Sequence, residues 1–161
     1  MATIRDAVEK LFEDIYPHVG GVAASVAVFF LSDKLSSIVS AHGLKIDQAY
    51  SGIFGLATVL TGFLFTFYSF VITTDHGFIG KARSSRYLQQ TAKFTVTALI
   101  AGGVASLTSL PMMVWQPKLN WTPGAIAFSL WAGVAVWSCL AFERAARLFI
   151  IFCSRHSAGT R

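Results

Sequence analysis

Residues 50–74 read YSGIFGLATVLTGFLFTFYSFVITT, 25 residues without a charged side chain, bracketed by Asp47 and Asp75. As a helix rising 1.5 Å per residue, this stretch is about 38 Å long, more than the roughly 30 Å of a bilayer's hydrocarbon core. Backbone groups in hydrocarbon must be satisfied within the segment or in a closed barrel, so an uninterrupted apolar run of this length predicts a helix.

Three further runs flank it. Residues 94–115 lie between Lys93 and Lys118, and residues 123–142 end at Glu143. Residues 16–31 form the shortest run, about 24 Å as a helix. They reach across only if Asp33 and Lys34 sit at the interface and the helix continues past them, with Pro17 suited to its first turn. Composition agrees with a membrane setting: 54% of the 161 residues are hydrophobic and 13% are charged, about half the charge of an average soluble domain. One domain uses the whole chain.

Residues 2–15 predict a short amphipathic helix. Ile4, Ala7, Val8, Leu11, Phe12 and Ile15 recur at helical spacing, opposite Arg5, Asp6, Glu9, Lys10, Glu13 and Asp14. Both charge signs occur there, so neither a secretory signal nor a basic lipid-binding helix is expected. The fold class expected is thus all-α: a polytopic membrane protein with an N-terminal amphipathic helix, a four-helix transmembrane bundle and a cytoplasmic tail over residues 143–161.

Lys and Arg set the orientation. With the N-terminus inside, ten lie in cytoplasmic segments: Arg5, Lys10, Lys81, Arg83, Arg86, Lys93, Arg144, Arg147, Arg155 and Arg161. Three, Lys34, Lys45 and Lys118, lie outside. If residues 16–31 failed to cross, the split would weaken to eight against five. The expected location is a bacterial inner (cytoplasmic) membrane with both termini in the cytoplasm. Trp115 and Trp121 suit an outer aromatic belt, and residues 75–93 an interfacial helix on the inner side.

The second run carries a stripe: Gly52, Gly55, Thr58, Gly62, Thr66, Ser69 and Thr73 recur every three or four residues. In the third, Ala98, Gly102 and Ser106 form one row of small residues, and Ala101, Ala105 and Ser109 the next. Small residues let helices approach closely, and hydroxyls bond across the contact. Hydroxyls and exposed glycine carbonyls also suit a polar path. Packing seam and pore lining both fit. More such faces exist than one bundle can bury, so a homo-oligomer is expected. Pro111 predicts a kink near the outer end of the third run.

The central portions of all four runs lack ionisable residues. Ion-coupled transporters generally need such groups, and no nucleotide loop, zinc motif or cysteine-histidine pair occurs. No enzyme activity, metal or cofactor is expected. Cys139 and Cys153 have no ligand spacing. Glu143 and Arg147 are placed for an i,i+4 ion pair. Lys81, Arg83, Arg86, Arg144 and Arg147 can set topology, hold anionic lipid headgroups or dock an acidic cytosolic protein. After the spans are subtracted, nothing is left to form a nucleic-acid-binding fold. The sequon Asn120-Trp121-Thr122 precedes Pro123 at the membrane edge and is discounted.

The Gly52–Thr74 helix leading into Lys81-Ala-Arg-Ser-Ser-Arg-Tyr-Leu resembles a layout found in small bacterial membrane proteins, some encoded beside antiphage defence genes. The likeness lies in layout rather than in an invariant motif, so no functional residues carry over. It implies a membrane sensor or pore effector working with a cytosolic partner. The functional expectation is an oligomeric pore or channel-like effector; the alternative is a membrane anchor or sensor that recruits a cytosolic protein.

Overall fold

The computed structural model describes the backbone of residues 4–43, 45–73, 86–117 and 121–158, and the side chains of 15–43, 45–69, 91–117, 121–148 and 150. It contains α1 (Ile4–Phe30), α2 (Ser32–His42), α3 (Ile46–Thr73), α4 (Arg86–Trp115) and α5 (Thr122–Ala158). No strand occurs among the described residues. Three stretches are long and apolar enough to cross a membrane: Ile46–Ser69, Thr91–Trp115 and Thr122–Leu148. Their outer surfaces suit lipid rather than water. Val59 is 70% exposed, Leu107 68% and Val114 88%, an apolar surface far beyond what a soluble monomer presents.

The N-terminal region departs from the expected division. The helix begins at Ile4 and runs without a break to Phe30, so Pro17 is interior rather than first-turn. A proline there removes one backbone hydrogen bond, to the carbonyl four residues earlier. Burial of Pro17 helps offset that loss. Nor does the helix continue straight past Asp33. The chain bends by 69° between Ile15–Phe30 and Ser32–His42. The bend keeps its backbone bonds, Leu31 N–H to Ala27 O at 3.0 Å and Leu35 N–H to Leu31 O at 2.9 Å. α2 has no buried residue. It ends at Gly43, whose φ of 60° is left-handed and whose N–H caps Val39 O, the conformation for which glycine carries no steric cost.

α4 runs through Pro111 to Trp115. It stops where Gln116 turns left-handed at φ 45° ahead of Pro117, which cannot continue the ladder. Trp115 and Trp121 meet edge-on across this loop at 6.4 Å, each 55% exposed.

The helices pack in the order α1–α5–α4–α3, with a slight direct contact between α3 and α5. α1 and α3 occupy opposite ends of this row, so the packing is open rather than a closed ring. Its centre is rich in small residues. Ala98, Ala101, Ala141 and Ala145 pack with Leu64 and Phe142, and a second cluster joins Tyr50, Met112 and Trp131. In lipid no hydrophobic force drives helices together, so close backbone approach and buried hydrogen bonds carry association.

Candidate functional site: an open small-residue face on α3

The small residues of α3 and α4 have opposite fates. Tyr50, Ala57 and Leu64 are buried on one side of α3. At about 100° per residue, Gly55 and Gly62 lie roughly 160° round the helix from them. A β-carbon added at Gly52, Gly55 or Gly62 would meet nothing within 4 Å. Thr58 and Thr66 are exposed beside them, and Ser69 is half-buried. Thr58 Oγ1 donates to Phe54 O at 2.8 Å, and Thr66 Oγ1 to Gly62 O at 3.0 Å. Satisfied this way, the hydroxyls still present lone pairs outward. One edge of the stripe touches α4, where Thr58 Oγ1 lies 3.3 Å from Ser106 Oγ. Gly103, also open, is nearby in sequence.

On α4 the corresponding rows face inward. Ala98, Ala101 and Ser109 are wholly buried. Gly102 is pressed against Thr61 of α3 and Phe142 of α5, so that a β-carbon there would overlap Thr61 Oγ1. Ser109 Oγ donates to Ala105 O at 2.7 Å and accepts the indole N–H of Trp131 at 2.9 Å. Gly102 therefore belongs to the internal seam, whereas Gly55, Thr58, Gly62 and Thr66 form an outward face.

Sequence reading passed over a close contact between α1 and α5 at Gly21. A β-carbon on Gly21 would lie 2.8 Å from Trp137 Cβ and 2.9 Å from Gly133 O; one on Gly133 would lie 2.7 Å from Gly21 O and overlap Ser25. The run Gly20-Gly21-Val22-Ala23-Ala24-Ser25 is a small-xxx-small signal of the same kind as those noted on α3 and α4. Tyr16 Oη extends this contact toward the N-terminal end of α1, 3.1 Å from Glu143 Oε2 and 3.3 Å from Leu140 O.

The basic residues divide as well. Arg147 pairs with Glu143 along α5. The Arg144 guanidinium lies 3.2 Å from the Phe94 ring centroid, a cation–π contact joining α5 to α4. Lys81, Arg83, the Arg86 side chain, the polar face of residues 4–14, the Thr73 side chain and Asn120 lie outside the described residues. No group of three or more metal-ligating side chains is found among the described residues. Cys139 is exposed on α5.

No protein-family model, curated protein or solved structure matches this chain.

Proposed function

We propose that this chain is an oligomeric, channel-like integral membrane protein whose α3 faces meet around a shared axis. The observation behind this reading is the contrast between the two helices: α4 buries Ala98, Ala101, Gly102 and Ser109 within the protomer, while α3 turns Gly55, Thr58, Gly62 and Thr66 outward. A face of glycines and hydroxyls gains little from lipid contact. Against a second copy it gains close packing and interhelical hydrogen bonds; around an axis it offers oxygen atoms to a hydrated ion.

The reading includes four crossings with both termini cytoplasmic. Support for the first crossing comes from register. α1 runs antiparallel to α5, with Tyr16 beside Leu140 and Glu143, and Gly21 beside Gly133 and Trp137. Continued at that register, Phe30 falls opposite about residue 128, roughly 9 Å along the axis from Thr122. α2 then turns along the outer interface. A bacterial inner membrane and a role as an antiphage effector with a cytosolic partner belong to the same proposal and rest on charge distribution and layout.

Planar-bilayer conductance tests the channel. The wild-type protein is expected to conduct, and Gly62→Leu or Thr66→Leu to reduce or abolish conductance while the protomer stays folded. Wild-type protein that inserts and oligomerises without conducting, across stimuli and potentials, would overturn it. A second reading, a membrane anchor for a cytosolic protein, is favoured by α5, which continues as helix from Leu148 to Ala158 beyond the apolar stretch.

A further inference from the structure

Helix α2 links two apolar stretches without joining the row of packed helices. Leu31 alone separates it from Ile15–Phe30, and residues 43–45 separate it from Ile46–Ser69. None of its residues is buried, and it touches the other helices only slightly. We infer that α2 is an interfacial helix whose Leu35, Ile38 and Val39 lie in the boundary between the headgroups and acyl chains of the bilayer. The inference rests on the first crossing proposed above and is independent of the channel.

Four observations carry this. The first is direction. α2 turns by 69° from Ile15–Phe30, so with α1 crossing it runs close to the membrane plane. Its 11 residues make a helix of about 16 Å, roughly half the hydrocarbon thickness. Its two ends attach where the apolar stretch of α1 finishes and that of α3 begins, which holds both at one depth. The second is pattern. At about 100° per residue, Leu35, Ile38 and Val39 share about 100° of arc, and Asp33, Ser36, Ser37 and Ser40 fill a similar arc opposite. The third is continuity with the apolar surface of α1. Phe30 is 79% exposed and Ile38 49%. Leu31 accepts the Leu35 N–H at 2.9 Å, so it lies one turn before Leu35 on the same face and joins the two surfaces. That continuity, at this depth, makes lipid the occupant. The fourth is polarity. Ser37 Oγ donates to Lys34 O at 2.7 Å, Ser40 Oγ to Ser36 O at 2.9 Å and His42 Nδ1 to Ile38 O at 3.0 Å, which lowers the cost of bringing these groups toward an apolar medium. Asp33 and Lys34 cancel in charge. A helix so balanced binds through buried apolar area rather than attraction to anionic lipid, so a zwitterionic bilayer suffices.

The test uses the full-length protein in phosphatidylcholine vesicles, in a Cys139→Ser, Cys153→Ser background. Ile38→Cys, Ser40→Cys and Val22→Cys each carry a thiol-linked fluorophore in turn. The quenchers are iodide on both sides of the membrane and lipids bearing a nitroxide near the headgroup or at mid-chain. The Ile38→Cys label should be quenched most by the shallow nitroxide, and the Ser40→Cys label severalfold more by iodide than the Ile38→Cys label. Equal iodide quenching of the two would place α2 in water. Shielding of Ile38→Cys from every quencher would place protein on this face. Strongest quenching of both by the mid-chain nitroxide would make α2 a re-entrant part of the span. Each of these results overturns the inference. Val22, exposed on α1, reports the crossing separately and should be quenched most at mid-chain. Failure there would refute the first crossing and the inference with it, whereas mid-chain quenching at Val22→Cys with failure at Ile38→Cys would refute the inference alone.

Discussion

Trp131 of α5 donates its indole N–H to Ser109 Oγ of α4 at 2.9 Å, and the Ser109 hydroxyl in turn donates a hydrogen bond to Ala105 O at 2.7 Å. Both residues are buried, so this short chain of hydrogen bonds joins the two helices where water cannot replace either partner. Tyr50 of α3 meets Trp131 edge-on at 4.6 Å, which brings the third helix to the same point.

Ser109→Ala leaves the indole N–H buried without its acceptor. The expected cost is about 1 kcal/mol, toward the lower end of the usual penalty because partners are rearranged within a membrane. Ser109→Ala, Trp131→Phe and the double variant form a cycle whose coupling energy is read from thermal or denaturant unfolding in detergent. A coupling near zero would show that the bond contributes nothing net.

Tyr50 presents the converse case. Its ring is 1% exposed, yet its hydroxyl has no hydrogen-bond partner among the described residues. An unpaired buried hydroxyl is costly. Tyr50→Phe keeps the ring contact with Trp131 and is expected to leave the unfolding midpoint unchanged or to raise it. A clear fall would mean that the hydroxyl bonds to water, lipid or a second copy.

Glycines of the two kinds should respond oppositely. Gly133→Ala drives a methyl into the Gly21 carbonyl and Ser25. Neither backbone can yield cheaply, so α1 should separate from α5 at a cost of about 1–3 kcal/mol. Gly62→Ala meets open space within the protomer and, in a helix interior, should be neutral or slightly stabilising. The bulkier Gly62→Leu should leave protomer stability intact while shifting the oligomer toward monomer, as measured by light scattering with detergent subtracted. An unchanged mass for Gly55→Leu and Gly62→Leu together would remove α3 from the interface.

Topology turns on the N-terminus. In a Cys139→Ser, Cys153→Ser background, a cysteine at Thr3 should react with a membrane-impermeant maleimide only after the membrane is opened. One at Lys118 should react in intact cells. Labelling at Thr3 from outside would mean that residues 16–31 do not cross.

The ion pair of Glu143 with Arg147 was legible from spacing alone, because i and i+4 positions share a helix face whatever surrounds them. The cation–π contact of Arg144 with Phe94 was not, because its partners come from two helices whose pairing no local pattern specifies. The same limit explains Pro17. Its position suited a helix start, and the start lies earlier because the amphipathic segment and the apolar run join in one helix.

The linear order of residues settled helix type, the three long apolar stretches and the absence of charge at their centres. These depend on contiguous composition, which a bilayer reads segment by segment. The stripes of Gly55 and Gly62 on α3 and of Ala98 and Gly102 on α4 carry the same spacing and were indistinguishable on that basis. Folding separated them: α4 sits between α3 and α5 and buries Ala98, Ala101 and Gly102 against them, whereas α3 ends the row with a neighbour on one side only. Neighbour order is a long-range property of helix pairing, and it made one stripe a seam and left the other an open face.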